Sequence, residues 1–450
     1  MPGQKISSLT PVSDLQAADQ LPLARSGSTY KITGDKFASK AQLDALSATS
    51  AGSFALKTDL LSLSANPFIA ADTSTIDLTL TNRTLFATVF NNSVTNSKLA
   101  FDGGSFAFRN KIINGGFDIW QRGTSLTSAA GARYLADRFT NGSAGTTCTA
   151  AQSAFALGQT DVPNEPNYYI STAVTSVAGA SNNATLHQHI ESVKSCAGKT
   201  VTLSFYAKSN ASRNVAVELY QNFGTGGTPS TSVSIPAGLF ALTTSWQKFT
   251  VTVNIPSISG KTLGTAGNDS LVVYFWFDAG SSNSSRASSL GQQSGTFDIA
   301  RVQLEEGPTA TPFEHRPIGT ELALCQRYFE KSYPTNVAPG TAAVSTTLTF
   351  VSNTFASNTN VLFWDKHSFN VSKRSTPAMN IYSNVTGTIG SYRAVQSAPV
   401  SISVDVNIVS SGGGVVSSTG GFALNGGYQN LGSNGWGYTG SYHYTADAEL

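Results

Sequence analysis

His187-Gln-His189 carries the one spacing in this chain that suits a metal-binding histidine pair. On a strand, residues i and i+2 share a face, so both imidazoles would point the same way. The competing reading is an ordinary exposed strand face. His315, His367 and His443 complete the set of five histidines. Glu305 and Glu306 are adjacent at a predicted strand end and so point to opposite faces. They cannot form the facing carboxylate pair of glycoside hydrolysis. No G-x-S-x-G elbow and no Walker loop occurs. Gly224-Thr-Gly-Gly227 lies between predicted strands and reads as a hairpin or edge loop. No catalytic residues are assigned, and the chain is expected not to be an enzyme. Cys148, Cys196 and Cys325 are widely spaced, odd in number and match no zinc pattern, which predicts buried thiols in a protein folded in a reducing cytosol.

Binding chemistry has better candidates. Sugar rings present a C–H-rich face that stacks on aromatic rings. Trp120, Tyr206, Tyr220, Gln221, Trp246 and Trp276 lie in predicted strands or at their ends, where large aromatics mostly serve a core. Trp246 differs, because it opens its strand directly after Thr243-Thr-Ser245, beside a predicted loop. Trp436 sits among Gly and Asn, with Tyr438, Tyr442 and His443 close behind. Aromatics in loops are a stronger functional hint than aromatics in strands. Trp436, Tyr438, Tyr442, His443 and Trp246 are therefore the expected ligand-binding residues; an interface between copies is the other reading of the first four.

The elements that must position these residues are strands. Of 450 residues, 40% are hydrophobic, enough for real cores, but only 12% are charged, about half the usual share. Ser, Thr and Asn supply the polarity, and 41 glycines suit many tight turns. The fold class is all-β. A formal charge of +2 with no Lys/Arg run argues against nucleic acid as a partner. The N-terminus shows no apolar h-region, and no stretch reaches the roughly 18 apolar residues of a membrane helix, so neither a signal peptide nor membrane insertion is expected.

Four segments follow. Residues 1–40 hold short alternating bursts, Leu21-Pro-Leu23 and Tyr30-Lys-Ile32, with too little apolar material for a core of their own. Residues 41–110 combine imperfect heptads (Leu43, Leu46, Phe54, Leu56, Leu60, Leu63) with a strand at Ile76, Leu78 and Leu80, and read as a stalk whose core lies between chains. Residues 111–315 carry strands at turn-punctuated spacing, among them Val201–Lys208, Val215–Tyr220, Trp246–Val253, Leu271–Phe277 and Thr296–Leu304. Many short strands of this kind predict a β-sandwich, specifically a jelly roll. Residues 316–450 form a C-terminal β-rich tip, with strands at Thr346–Phe350 and Ser401–Val409.

Several long motifs in order resemble phage tail fibres. Lys5–Leu9, Asp19–Leu23 and Tyr30–Thr33 resemble the N-terminal attachment piece, and Val94-Thr-Asn-Ser-Lys-Leu99-Ala a shaft element. Ile113-Asn-Gly-Gly-Phe-Asp-Ile-Trp-Gln-Arg-Gly123, Gln221–Gly227, Ile255–Gly264, Gly295–Gly307 and Arg316–Phe329 resemble the carbohydrate-binding-like jelly-roll module of such fibres, over about half the chain. The resemblance implies a homotrimer attached to a phage baseplate or tail protein through residues 1–40. Its distal end would recognise a host surface glycan or protein. It implies a virion-tail location for a protein made in the host cytoplasm and acting outside the cell. It also implies that Asp118 and Asp298, on the first and last strands of the module, could hold a structural Ca2+; the alternative is that they cap turns or pair with Arg122 and Arg301. A carbohydrate-binding accessory module of a secreted polysaccharide-active system, or a virion spacer without receptor binding, are the competing functions.

Overall fold

The computed structural model describes residues 20–25, 28–33, 76–81, 84–89, 108–345, 348–352, 360–396, 402–408, 414–429 and 438–450. The chain divides into two compact units, Met1–Leu99 and Ala100–Leu450. Described residues of the first unit form two antiparallel hairpins. In one, β1 (Gln20–Arg25) pairs with β2 (Ser28–Thr33); in the other, β3 (Ile76–Thr81) pairs with β4 (Thr84–Val89). The alternation at Leu21/Leu23 and at Ile76/Leu78/Leu80 is thus realised as strands. The imperfect heptads of the stalk and the Val94–Ala100 element lie outside the described residues.

The second unit opens with ten strands, in order β5 (Ser125–Tyr134), β6 (Phe139–Ala154), β7 (Tyr168–Thr175), β8 (Asn183–Glu191), β9 (Thr200–Ser209), β10 (Arg213–Asn222), β11 (Val233–Leu242), β12 (Gln247–Asn254), β13 (Ser270–Ala279) and β14 (Gly295–Glu306). Their antiparallel pairing follows the path β11-β10-β13-β8-β6-β7-β14-β9-β12, with β5 on β6. The ribbon folds over at β6, whose first half pairs with β8 and second half with β7. Gly145 sits at the register shift between them with φ +65°, and a Cβ there would meet the Asn182 amide oxygen at 2.1 Å. Only glycine tolerates both conditions. Phe205 on β9 meets Phe275 on β13 at 5.0 Å, although the two strands are far apart along the path, so the two layers face each other as a sandwich. One core runs between them, including Leu186, Leu203, Val217, Val273, Phe277, Phe297 and Leu304. The strands β9, β10 and β13 give every second residue to it, as a pleat with period two requires.

A short helix α1 (Ile318–Gln326) leads to a second, separate core. Its main sheet holds β15 (Phe329–Lys331), β16 (Leu348–Ser352), β18 (Ala378–Ser383), β19 (Ser391–Gln396), β20 (Ile402–Asn407) and β23 (Tyr438–Asp447). A smaller sheet is formed by β17 (Asn360–Ser368), β21 (Gly414–Ser417) and β22 (Gly421–Gln429). Lys373 and Glu330, both fully buried, pair at 2.5 Å in this part, and the Tyr444 hydroxyl donates to the same carboxylate at 2.8 Å.

The last residues of the chain are fixed on the sandwich. Glu449 accepts from Arg138 and lies 3.2 Å from Arg122, while the Arg374 side chain donates to the Ala448 and Glu449 carbonyls. Arg138 is 1% exposed, its guanidinium 3.4 Å from the centre of the Tyr328 ring. Arg122 stacks likewise on Phe329 at 3.7 Å.

The outer face of the β10-β13-β8 layer is largely covered. The Arg286 guanidinium covers Tyr220, Tyr274 and Trp276 at 4.6–5.3 Å and donates twice to the fully buried Glu218, at 2.9 and 3.0 Å. Beside this group His187 and His189 share a face, their rings 5.6 Å apart, as the i, i+2 spacing predicts. The expectation of an exposed strand face is corrected at His187, which is 7% exposed and packed on Tyr274. Their Nδ1 atoms lie at Thr185 Oγ1 and Ser270 Oγ. Burial pushes His187 down to about 3 and His189 down to about 4.

Two outcomes follow from these burials. Arg138→Ala leaves the buried Glu449 with Arg122 as its remaining cation and is expected to cost about 3 kcal/mol in urea denaturation; a loss below about 1 kcal/mol would show that the pair does not hold the C-terminus. The histidines stay neutral in the folded state but take up protons when unfolded below about pH 6.5. Each therefore removes up to about 1.4 kcal/mol of stability per unit as pH falls from about 6 towards its folded value. Denaturation midpoints between pH 7 and 5 are expected to slope less steeply in His187→Phe than in the unaltered chain, and identical slopes would contradict the assignment.

Candidate glycan-binding face

The outer face of the other layer, β7-β14-β9-β12, is open. Its strands are in register, Ser171 with Asp298 and Asp298 with Lys208. Continuing the β9–β12 register by one residue sets Trp246 opposite Lys208. Tyr168 and Tyr169 are consecutive on β7, so the pleat sends Tyr168 to the core and Tyr169 outward. Tyr169, Trp246 and Phe155, just past β6, form a three-ring cluster with centroids 4.8, 5.2 and 5.1 Å apart. All three are half-buried. The Lys208 ammonium lies 5.1 Å from the Trp246 ring centre and 5.8 Å from that of Tyr169. Its partner is Asp298, at 3.7 Å, a carboxyl that burial pushes above its usual range.

Two residues further along the same strands lie Tyr206 and Lys248, which are paired in register. They border a pocket of about 300 Å³, whose lining includes Ser204, Arg301, Asn164 and Phe313. That is at the small end of the range for ligand sites. Arg301 reaches this face through a bulge. Phe297 and Ile299 point to the core, and strict alternation would send residue 301 after them. Between Ala300 and Gln303, however, β14 carries one residue more than β9. Val302 and Leu304 take up the core positions beyond it, and Arg301 has φ +52°. A bulge of this kind re-aims a side chain, and a left-handed non-glycine residue needs its surroundings to hold it. Here the guanidinium rests 4.7 Å over the Phe313 ring, with Nη2 donating to the Asn164 carbonyl at 3.0 Å and Nη1 2.5 Å from His315 Nε2.

The arrangement can stack one or two sugar rings on the aromatic cluster and offer hydroxyl and cationic donors beside it. Of the residues expected to bind ligand, Trp246 is on this face. Tyr442 and His443 are corrected: both are 0% exposed, on the central strand β23 rather than in a loop. The Tyr442 hydroxyl donates to Asp365 at 2.5 Å, and the His443 ring stacks on Tyr333 at 3.8 Å. Tyr438 opens β23, with its side chain outside the described residues, and Trp436 lies outside them altogether. Trp120 and Trp276 are buried. Asp118 and Asp298 take different partners, Asn167 for the first and Lys208 for the second, while Arg122 turns to Asp447 and Glu449. Among the described residues no group of three or more His, Cys, Asp or Glu gathers to hold a metal. A carboxylate already compensated by an ammonium is a poor start for a Ca2+ cage. Glu305 and Glu306 do point apart: Glu305 is buried against Thr311, whereas Glu306 pairs with Lys199 and Lys111 outside.

Residues 145–271 match a family described as a carbohydrate binding domain, and they include Phe155, Tyr169, Tyr206, Lys208, Trp246 and Lys248. No curated protein matches the chain in sequence. Among solved structures, similar ones include a CBM4 module (18% identity, 43% of this chain and 98% of that one, TM-score 0.24). Another is the CBM22-2 xylan-binding domain of Paenibacillus barcinonensis Xyn10C (13% identity, 35% and 86%, TM-score 0.24). A third is the enzymatically active domain of bacteriophage CBA120 tailspike protein 4 (12% identity, 44% and 22%, TM-score 0.24). Scores of this size carry no argument; the residues similar to the carbohydrate binding domain lie within the all-β sandwich and include β7, β9 and β12 of the open aromatic face.

Proposed function

We propose that this chain is a glycan-binding tail fibre of a bacterial virus. In this reading it is a non-catalytic homotrimer on the virion tail, made in the host cytoplasm, that adheres to the host cell from outside. The observation that carries the glycan part is the open Phe155–Tyr169–Trp246 cluster on strands that match a carbohydrate binding domain. The fibre part rests on the sequence motifs. Residues 1–40 would dock on a baseplate or tail protein, 41–110 form the trimeric stalk, 111–315 the jelly roll and 316–450 the tip, with Trp436 and Tyr438 as further ligand contacts there. Three weak sites on one rod gain roughly 10²–10⁴ in avidity when all engage, so a shallow face suffices.

Two measurements test the two parts separately. Affinity electrophoresis against a panel of soluble bacterial and plant polysaccharides is expected to find a retarding glycan. Trp246→Ala should weaken that retardation at least about tenfold, or about 1.4 kcal/mol; unchanged retardation would remove this face as the site. Sedimentation of the full chain is expected to give a trimer. A stable monomer would sink the fibre reading and bring forward an accessory module of a secreted polysaccharide-active system.

A further inference from the structure

The pocket beside the aromatic cluster has an unusual charge balance. Of its described lining residues, Lys248 and Arg301 are cations and none is Asp or Glu. Among the described residues neither cation has a carboxylate within ion-pairing distance, whereas Arg109, Arg122, Arg138, Arg286, Arg316, Arg327 and Arg393 all do. Arg301 is 4% exposed, so its charge has little help from water. Two of its nitrogens meet the Asn164 carbonyl and the His315 ring, an imidazole that burial and the nearby guanidinium push below its usual range. Its Nε has no hydrogen-bond partner among the described residues. The Asp118 carboxylate acts on it only through space. A buried guanidinium without a counter-ion is costly, and here it is presented by a left-handed bulge residue that alternation would otherwise have sent towards the core. Lys248 stands across from Tyr206 on the rim of the same pocket.

We infer that this pocket takes the anionic group of an acidic sugar, a carboxylate or sulfate, while the neighbouring ring of the glycan stacks on the Tyr169–Trp246 cluster. The inference rests on the glycan-binding reading of the same face and deepens it. Arg301 and Lys248 supply charge from floor and rim, Ser204 and Tyr206 line the wall with hydroxyls, and Phe313 backs the guanidinium. Specificity for charged over neutral chains then comes from Arg301 and Lys248, and stacking affinity from Trp246.

The test uses the full chain and two matched pairs: polygalacturonate against its fully methyl-esterified form, and dextran sulfate against dextran. Titration calorimetry at low salt is expected to show one anionic member bound at least about tenfold tighter than its masked partner. That preference should shrink as salt rises. The pair that responds tells carboxylate from sulfate. Lys248→Glu, on an exposed position, should abolish the preference without unfolding the chain; Arg301→Gln should do the same if circular dichroism shows it folded. Equal binding within both pairs, or a preference that survives Lys248→Glu, overturns the inference. If neutral polysaccharides bind through Trp246 while neither anionic member is preferred, the inference falls and the glycan-binding reading stands. If no polysaccharide binds at all, both fall.

Discussion

The buried pairing of Arg138 with Glu449 is the constraint on which the second unit depends. It joins a residue just before β6 to the second-last residue of the chain, and so ties the start of the sandwich to the end of the C-terminal sheet. A guanidinium that is 1% exposed must have its charge met inside the protein. Here Glu449, the His189 carbonyl and the face of Tyr328 meet it together. Gln121, Asp137 and the Phe329 carbonyl continue the polar seam on the other side of Arg122. Burial raises the Asp137 carboxyl, and Arg122 opposes that shift. Two apolar cores that share no side chain are thereby held by charge and hydrogen bonding rather than by a common hydrophobic surface.

Within the sandwich, the same pleat that builds the core produces two outer faces of different character. On β10-β13-β8 the outward aromatics are covered by Arg286, whose bond to Glu218 pays for closing that face. On β7-β14-β9-β12 the cation over Trp246 and Tyr169 is Lys208, at 5.1 and 5.8 Å, with Asp298 3.7 Å from its ammonium. Aromatic content alone does not separate the faces, since both carry several rings. The difference lies in the anchor: fully buried Glu218 meets the Arg286 guanidinium with two hydrogen bonds, whereas Asp298 and Lys208 stay 3.7 Å apart.

Much of the sandwich was legible. Val201–Lys208 and Val215–Tyr220 alternate cleanly and became β9 and β10, because a two-residue period with one apolar face has only one stable arrangement. The continuous run Leu271–Phe277 became β13, covered on both sides as such runs require. The candidate site was legible only in part. Trp246 stood out by its place at a strand end, and the Tyr168-Tyr169 doublet held a usable signal, since one of two adjacent strand tyrosines must face outward. Phe155, Lys208, Arg301 and Phe313 gave none. They come together only because β7, β14, β9 and β12 are neighbours in space and not in order. Tyr442 and His443 misled for the converse reason: a Gly- and Asn-rich approach suggested a loop, but β23 is the strand on which β15, β16, β18 and β19 all pair.

What the sequence determined by itself was the all-β class, the strand faces and the lack of a catalytic spacing, because period, turn chemistry and motif spacing are local properties. Which face stays open, which arginine finds a carboxylate and where the bulge sends residue 301 were decided by tertiary structure. Each depends on residues distant in the chain: Glu218 for Arg286, Glu449 for Arg138, and for Arg301, among the described residues, no carboxylate within ion-pairing distance. Burial turns those pairings into large energies, and a one-dimensional pattern carries no record of burial.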